Sequence, residues 1–312
     1  MCYSAQVWAD WRRYRKQGGE LDIKGFVRLI DEMGGRPGWI RKLPKATRDS
    51  LLDVRTEEGM ALAKAVREAN RAAEVMLRDE LQAQTDRLTA AEAVLAGPKP
   101  TKKAANDQRI ATDKISRAQR DLDDLVRTEL LDRDSRIYPG NYVPVLVAEG
   151  DRYVVKPMRY QCRPAGKPAM YDTKYPGTYN ARRDNLEGFW KDLFGHTHAL
   201  LVVDTFYENV EGPDGKNQVI QFTPRDREPM LVACLWSHWT DPAGKLPDLD
   251  SFAAITDEPE PEVAAAGHDR TIINIKPEHV DAWLRPNPAN LAALYAIFDD
   301  KRHPFYEHQL AA

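Results

Sequence analysis

Position 2 of this chain is a cysteine. A small second residue favours removal of Met1, and residue 2 then carries a free α-amine beside a β-thiol. Such an amine has a reference pKa of about 7.7–8.0, so a useful fraction is neutral at pH 7. A neutral amine attacks an aldehyde to give a Schiff base. The neighbouring thiol then closes on the imine to give a five-membered thiazolidine, an intramolecular step driven by proximity. Cys162 and Cys234 have amide nitrogens and cannot follow this route; they read as buried, inert thiols. The three cysteines show no zinc-ligand spacing, and their odd number argues against a disulfide framework.

Groups that move protons or hold phosphate lie further along. Glu208 follows the apolar run Ala199–Val203 and the pair Phe206-Tyr207. A carboxylate at the edge of an apolar wall tends to titrate high, which suits acid–base work near neutrality. His268 follows Gly267 on a turn and titrates in the same range. Asn180 and Arg182 lie two apart, on one face of an extended chain. The guanidinium forks of Arg182 and Arg159 fit a phosphate. Tyr160 offers a ring on which a base can stack whatever its identity. The pair His196 and His198 lacks further ligands at metal-site spacing, so no metal is expected, and no cofactor either. Neither a phosphate-binding glycine loop nor a Ser-His-Asp signature is present.

Elements must position these groups. Residues 1–46 read as one or two helices with glycine turns at 18–19 and 34–38. Apolar residues then recur at three- and four-residue spacing over 47–96, through Leu62, Val66, Ala69 and Ala73 to Leu95, with Gln84 as one polar seam position. Gly97-Pro98 breaks this helix, and a second covers 102–134, so the two form an antiparallel hairpin. From residue 137 short β-rich runs follow: 143–148, 153–160, 199–207, 219–223, 230–236 and 251–256. A strand at 272–275 and helices at 277–284 and 290–300 complete the chain. No run of about 20 apolar residues offers a membrane span, and Trp8, Asp10, Trp11, Arg12 and Arg13 interrupt any signal-peptide core. The expectation is a cytoplasmic, nucleoid-associated protein. Net charge is −3, yet residues 12–48 hold 11 Lys/Arg against 4 Asp/Glu and residues 152–191 hold 9 against 3. That segregation is what a nucleic-acid binder of low net charge requires.

Four segments, in order, carry a resemblance. They are Met1-Cys2; Asn180-Ala181-Arg182; the strand from Ala199 ending in Phe206-Tyr207-Glu208; and Phe252-Ala253-Ala254-Ile255-Thr256 followed by His268-Asp269-Arg270 and Trp283-Leu284. Together they resemble the SOS-response-associated peptidase (SRAP) family, over residues 1–8 and about 137–285. There are departures. Tyr3-Ser4 stands where the family has Gly-Arg, and that arginine's phosphate contact would pass to Arg12 or Arg13. Arg159-Tyr160-Gln161-Cys162-Arg163-Pro164 stands where it has Arg-Trp-Gly-Leu-[Ile/Val]-Pro.

The resemblance implies an α+β fold: a β-rich core with flanking helices over 1–46 and 137–312, and an inserted helical hairpin over 47–136 on which the family is silent. It implies covalent crosslinking of Cys2 to abasic sites in single-stranded DNA, whose opened sugar supplies the aldehyde. Glu208 would promote ring opening and shuttle protons, and His268 would manage protonation at the imine, including reversal. Asn180 would hold the sugar or the terminal amine, and Arg182 a flanking phosphate. Two alternatives stand beside it. One is a cysteine peptidase or autopeptidase using Cys2. The other is an interaction protein whose hairpin docks a partner or a second copy.

Overall fold

The computed structural model describes residues 2–7, 11–36 and 38–311; within 2–7 it describes the backbone and the side chains of Ser4 and Ala5. The fold is mixed α+β around a barrel-like sheet. The strands are β1 Cys2–Val7, β2 Gly19–Leu21, β3 Arg136–Ile137, β4 Tyr142–Glu149, β5 Arg152–Tyr160, β6 Asn180–Arg182, β7 His198–Glu211, β8 Asn217–Pro224, β9 Met230–Trp239, β10 Leu249–Asp257, β11 Thr271–Ile272 and β12 Tyr306–Leu310. A closed ring runs β4–β5–β10–β9–β7 and back to β4 through Leu146 and Leu200. In it the β5–β10 contact is parallel and the other four are antiparallel.

Side chains alternate faces along each strand. Ala199, Leu201 and Val203 of β7 join one core with Val143, Val145 and Val147 of β4. Leu200 and Val202 join a second core with Leu146 on the opposite face. That second core is covered by Tyr14, by the 186–194 segment and by helices Val280–Leu284 and Leu291–Asp299. Trp283 locks the cover, its Nε1 donating to the Ala199 carbonyl at 2.9 Å.

The alternation breaks at Asp204. β1 pairs Gln6 with Thr205 and Val7 with Val203, so Asp204 is an extra residue on β7. Such a bulge reverses the facing of the residues after it. Phe206 and Val210 accordingly enter the first core, and Glu208, between them in phase, takes their face. Arg13 holds the bulge from outside, Nη1 to Asp204 Oδ1 at 2.9 Å. Burial pushes the Asp204 carboxyl above the usual range, against the pull of Arg13.

The chain divides into two compact units, residues 1–26, 42–50 and 131–312, and residues 27–41 and 51–130. The second contains the antiparallel helices Glu57–Ala96 and Lys102–Val126. Their buried residues are mostly small and apolar, with Gln84 as a polar exception: Leu62, Val66, Ala69, Ala73 and Ala91 on one, Ala111, Ala118 and Leu122 on the other. Arg87–Asp107 at 2.6 Å and Lys114–Glu80 at 3.0 Å share one register. The helix expected over 47–96 is interrupted. Lys45–Leu51 ends, and a new helix opens at Thr56, whose hydroxyl accepts the Gly59 N–H at 3.0 Å. The second helix stops at Val126 rather than at 134.

Candidate active site

Glu208 sits mid-strand with backbone partners on both sides, Cys2 of β1 and Ile220 of β8. It is 0% exposed. Its Oε2 lies 3.2 Å from His268 Nε2, and the imidazole is also buried. The turn that delivers the histidine follows helix Pro261–Ala265 and needs Gly267, whose φ is +91°. The His268 N–H then donates to the Val263 carbonyl at 3.2 Å.

The Nδ1 of His268 lies 2.9 Å from the Arg270 carbonyl and 3.3 Å from the Arg270 nitrogen. The ring therefore has a backbone partner for either neutral tautomer. Nε2 is the nitrogen turned toward Glu208, close enough for a proton to be exchanged once the two groups align. Burial holds His268 below the usual histidine range, opposed by its bond to the Arg270 carbonyl. The shift favours the neutral imidazole.

β1 brings the Cys2 backbone beside Glu208. Met1 and the side chains of Cys2 and Tyr3 lie outside the described residues. The strand is held on its other edge by β3, where Ala5 faces Ile137. Ser4 is buried, and its Oγ accepts from Arg136 Nε at 3.1 Å. That guanidinium lies 3.7 Å over the Tyr207 ring. Cys162 and Cys234 are fully buried, and burial pushes the Cys162 thiol up to about 12 and the Cys234 thiol higher. Both stay protonated and inert.

Asn180 is buried on β6 beside Ala254, with the Tyr160 hydroxyl 3.5 Å from its Oδ1. The structure corrects two expectations here. Tyr160 is 2% exposed, stacked on Phe252 at 5.3 Å and edge-on to Tyr179 at 5.7 Å. These neighbours occupy its ring, and no face remains for a base. Arg159 is spent internally, Nη1 to Asp172 Oδ2 at 2.7 Å and Nε to the Gln161 carbonyl at 3.2 Å. Arg163 shares the same carboxylate, its Nε donating at 3.0 Å. Burial raises Asp172, but Arg163 and Arg159 outweigh it and hold the carboxyl below the usual range. With its side chain only 13% exposed beside that carboxylate, Arg159 is not offered to a phosphate. Between them Gln161 adopts φ +113°, a conformation that favours glycine, with its Nε2 tied to the Asp172 carbonyl at 3.0 Å.

Arg182 is exposed and lies across Asp184 at 3.0 and 2.7 Å. It walls an open cleft of about 470 Å³ with Arg183 and Arg270 and with the carboxylates Asp184, Glu187, Asp257 and Glu258. Sequence reasoning did not assign roles to Arg183 or Arg270, although Arg270 closes the His-Asp-Arg triplet. Of the two arginines considered in place of the family's, Arg13 is engaged by Asp204 and Arg12 is exposed. His198 is structural: its Nε2 accepts from the Gly195 N–H at 2.8 Å and its Nδ1 meets the Trp283 carbonyl at 2.9 Å. Burial drives its pKa down to about 3. Among the described residues, no group of three or more His, Cys, Asp or Glu side chains is placed to hold a metal ion.

A family model described as SOS response associated peptidase (SRAP) matches residues 105–309, about two thirds of the chain. The chain belongs to the SRAP family. The match begins inside the second hairpin helix and leaves Cys2 outside it. Solved structures similar to this SRAP chain include a protein from Bordetella bronchiseptica, 17% identical over 60% of this chain and 90% of its own, with a TM-score of 0.46. A protein from Bacteroides thetaiotaomicron is 14% identical over 57% and 77%, with a TM-score of 0.46. A phage-related protein from Bordetella bronchiseptica is 20% identical over 56% and 80%, with a TM-score of 0.41. No curated protein matches the chain. SRAP membership supports a role associated with DNA damage. Among the described residues no helix is long and apolar enough to cross a membrane.

Proposed function

We propose that this SRAP protein traps abasic sites in single-stranded DNA as a covalent crosslink through its N-terminal cysteine. One observation carries the reading: β1 is registered so that Cys2 lies beside Glu208, whose carboxylate meets His268 at 3.2 Å in a buried setting. A proton relay next to an N-terminal amine and thiol is what imine chemistry needs.

After loss of Met1, the α-amine adds to the C1′ aldehyde of the opened sugar and forms a carbinolamine. Glu208 protonates the departing hydroxyl, water leaves, and the imine results. The Cys2 thiol then adds to the imine carbon while its proton passes to nitrogen, closing the thiazolidine. His268 resets the carboxylate between steps and, in reverse, supports water addition to the imine. Asn180 holds the sugar or the terminal amine. Arg182, on the cleft wall, takes a flanking phosphate.

The test uses purified protein whose intact mass shows that Met1 is gone, incubated with a single-stranded oligonucleotide carrying one abasic site. Wild type is expected to form an adduct that survives a denaturing gel, Cys2→Ala none, and Glu208→Gln an adduct formed about 10²-fold more slowly. A Cys2→Ser variant that still forms the denaturation-resistant adduct would sink the reading. Cleavage of unrelated peptides, lost in Cys2→Ala, would favour the peptidase activity of the family's description instead.

A further inference from the structure

The segment 164–191 carries two exposed aromatic rings, packed on the buried Tyr171, that the crosslinking chemistry does not use. Tyr175 is 42% and Phe189 43% exposed. They are not scattered. Tyr171 lies 4.5 Å from Tyr175, tilted by 41°, and 6.5 Å from Phe189, with the Tyr171 and Phe189 planes 19° apart. Phe189 in turn sits edge-on to Trp190 at 4.8 Å.

The rings come from the two turns that flank β6. The chain enters β6 from Tyr175, whose carbonyl accepts the Thr178 N–H at 3.4 Å, and Asn180 N–H follows with a bond to Gly177 at 3.2 Å. It leaves through the 3-10 turn Arg183–Asn185, where Asn185 Oδ1 accepts the Phe189 N–H at 3.1 Å. The strand bearing Asn180 and Arg182 is thus bracketed by rings that meet on one side of it. Hydrogen-bonded turns fix both ends, so the rings are placed before any ligand arrives.

Exposed lysines lie on the same segment: Lys174 Nζ is 5.4 Å over the Tyr175 ring, and Lys167 and Lys191 are exposed. Exposed rings among cations suit a single strand of nucleic acid, whose bases stack while its phosphates meet the charges. Tyr160, the ring that sequence marked for stacking, is buried and cannot serve.

We propose that Tyr175 and Phe189 form a stacking platform for unpaired DNA bases next to the lesion. The inference rests on the crosslinking reading for the position of the lesion and on the exposed rings for the rest.

The experiment compares fluorescence anisotropy of the full chain with two labelled oligonucleotides of equal length. One is oligo-dT; the other is a tract of tetrahydrofuran spacers, which keeps the phosphates but has neither bases nor an aldehyde. Wild type is expected to bind oligo-dT at least about tenfold more tightly than the spacer tract. The double variant Tyr175→Ala/Phe189→Ala should lose that preference while its salt dependence on the spacer tract stays the same. Tyr175→Phe/Phe189→Trp should keep it, and Leu246→Ala, an exposed apolar residue elsewhere, should behave as wild type. Equal losses on both oligonucleotides, or unchanged oligo-dT binding, overturn the platform. So does a changed oligomeric state in the double variant with DNA affinity intact, which would make the rings a protein contact. Wild-type adduct formation is scored separately. Ring-dependent oligo-dT binding without an adduct sinks the crosslinking reading and leaves the platform standing. An adduct without ring-dependent binding does the opposite.

Discussion

A carboxylate removed from water is costly unless a proton or a counter-charge comes with it. Glu208 has His268 Nε2 at 3.2 Å, and His268 has backbone partners on its far nitrogen for either tautomer. The pair is therefore placed to exchange a proton once the two groups align. This has a consequence for pH. Burial keeps His268 below the usual histidine range, so its titration lies on the acid side of the amine's. As pH falls from 8 to 6.5 the free α-amine, with a reference pKa of about 7.7–8.0, becomes protonated and loses its nucleophilicity. The single-turnover crosslinking rate should accordingly rise with pH between 6.5 and 8.5 and level off above the amine pKa. His268→Gln should lower the whole curve by about 10²-fold without moving its midpoint. An acid limb near pH 6.5 that vanishes in His268→Gln would show that the histidine, not the amine, sets the profile. Glu208 and His268 were legible as residue types with the right neighbours. Their meeting was not, because it depends on a bulge and a glycine turn brought together across the sheet. Tyr160 was misread for a related reason: whether an aromatic ring is a core residue or a platform is decided by Phe252 and Tyr179, on other strands.

Elements with a strong internal period were the readable ones. The hairpin seam followed from three- and four-residue spacing, and the ring strands β4, β5, β7, β9 and β10 from β-rich runs between turns. β1 and β2 escaped, where helices were expected, because each is held by distant partners: β1 by β7 and β3, β2 by β5. β1 was the consequential miss, since its register puts Cys2 beside Glu208. The seam also shows where periodicity and energetics diverge. Gln84 is a buried polar position, and its Oε1 has no hydrogen-bond partner among the described residues. The shared register of Arg87–Asp107 and Glu80–Lys114 places it level with Ile110. Burying an amide oxygen without a donor costs about 1–3 kcal/mol, and an aliphatic side chain of similar volume removes that cost. Gln84→Leu should therefore stabilise the helical unit by about 1 kcal/mol, read as a higher denaturant midpoint of the helical circular-dichroism signal at unchanged slope. A lower midpoint would mean that the amide has a use in the seam.

At the scale of the molecule, the site residues and most of the basic excess belong to one unit. Residues 12–48 and 152–191 carry the basic excess, whereas residues 81–113 hold 5 Lys/Arg against 4 Asp/Glu. Glu208, His268, Asn180, Arg182 and the rings of Tyr175 and Phe189 all belong to the unit made of residues 1–26, 42–50 and 131–312. Long-range attraction of DNA depends on the summed field, and the salt dependence of binding on the number of phosphates neutralised. Removing a nearly neutral segment of the other unit should alter neither. The Glu80–Lys114 ion pair at 3.0 Å marks a level at which both helices can be cut and still face each other. Replacing residues 81–113 with a short Gly-Ser turn keeps the stem, including Ala69 and Ala73, and removes the distal hairpin. The shortened protein is expected to crosslink an abasic single strand within about twofold of the wild-type rate, with the same salt slope. A tenfold fall in rate or affinity would enlist the distal hairpin in DNA capture. An unchanged rate with a changed oligomeric state, measured by light scattering, would instead make it an assembly element, so that the chain combines a self-contained crosslinking unit with a separate arm for a protein partner.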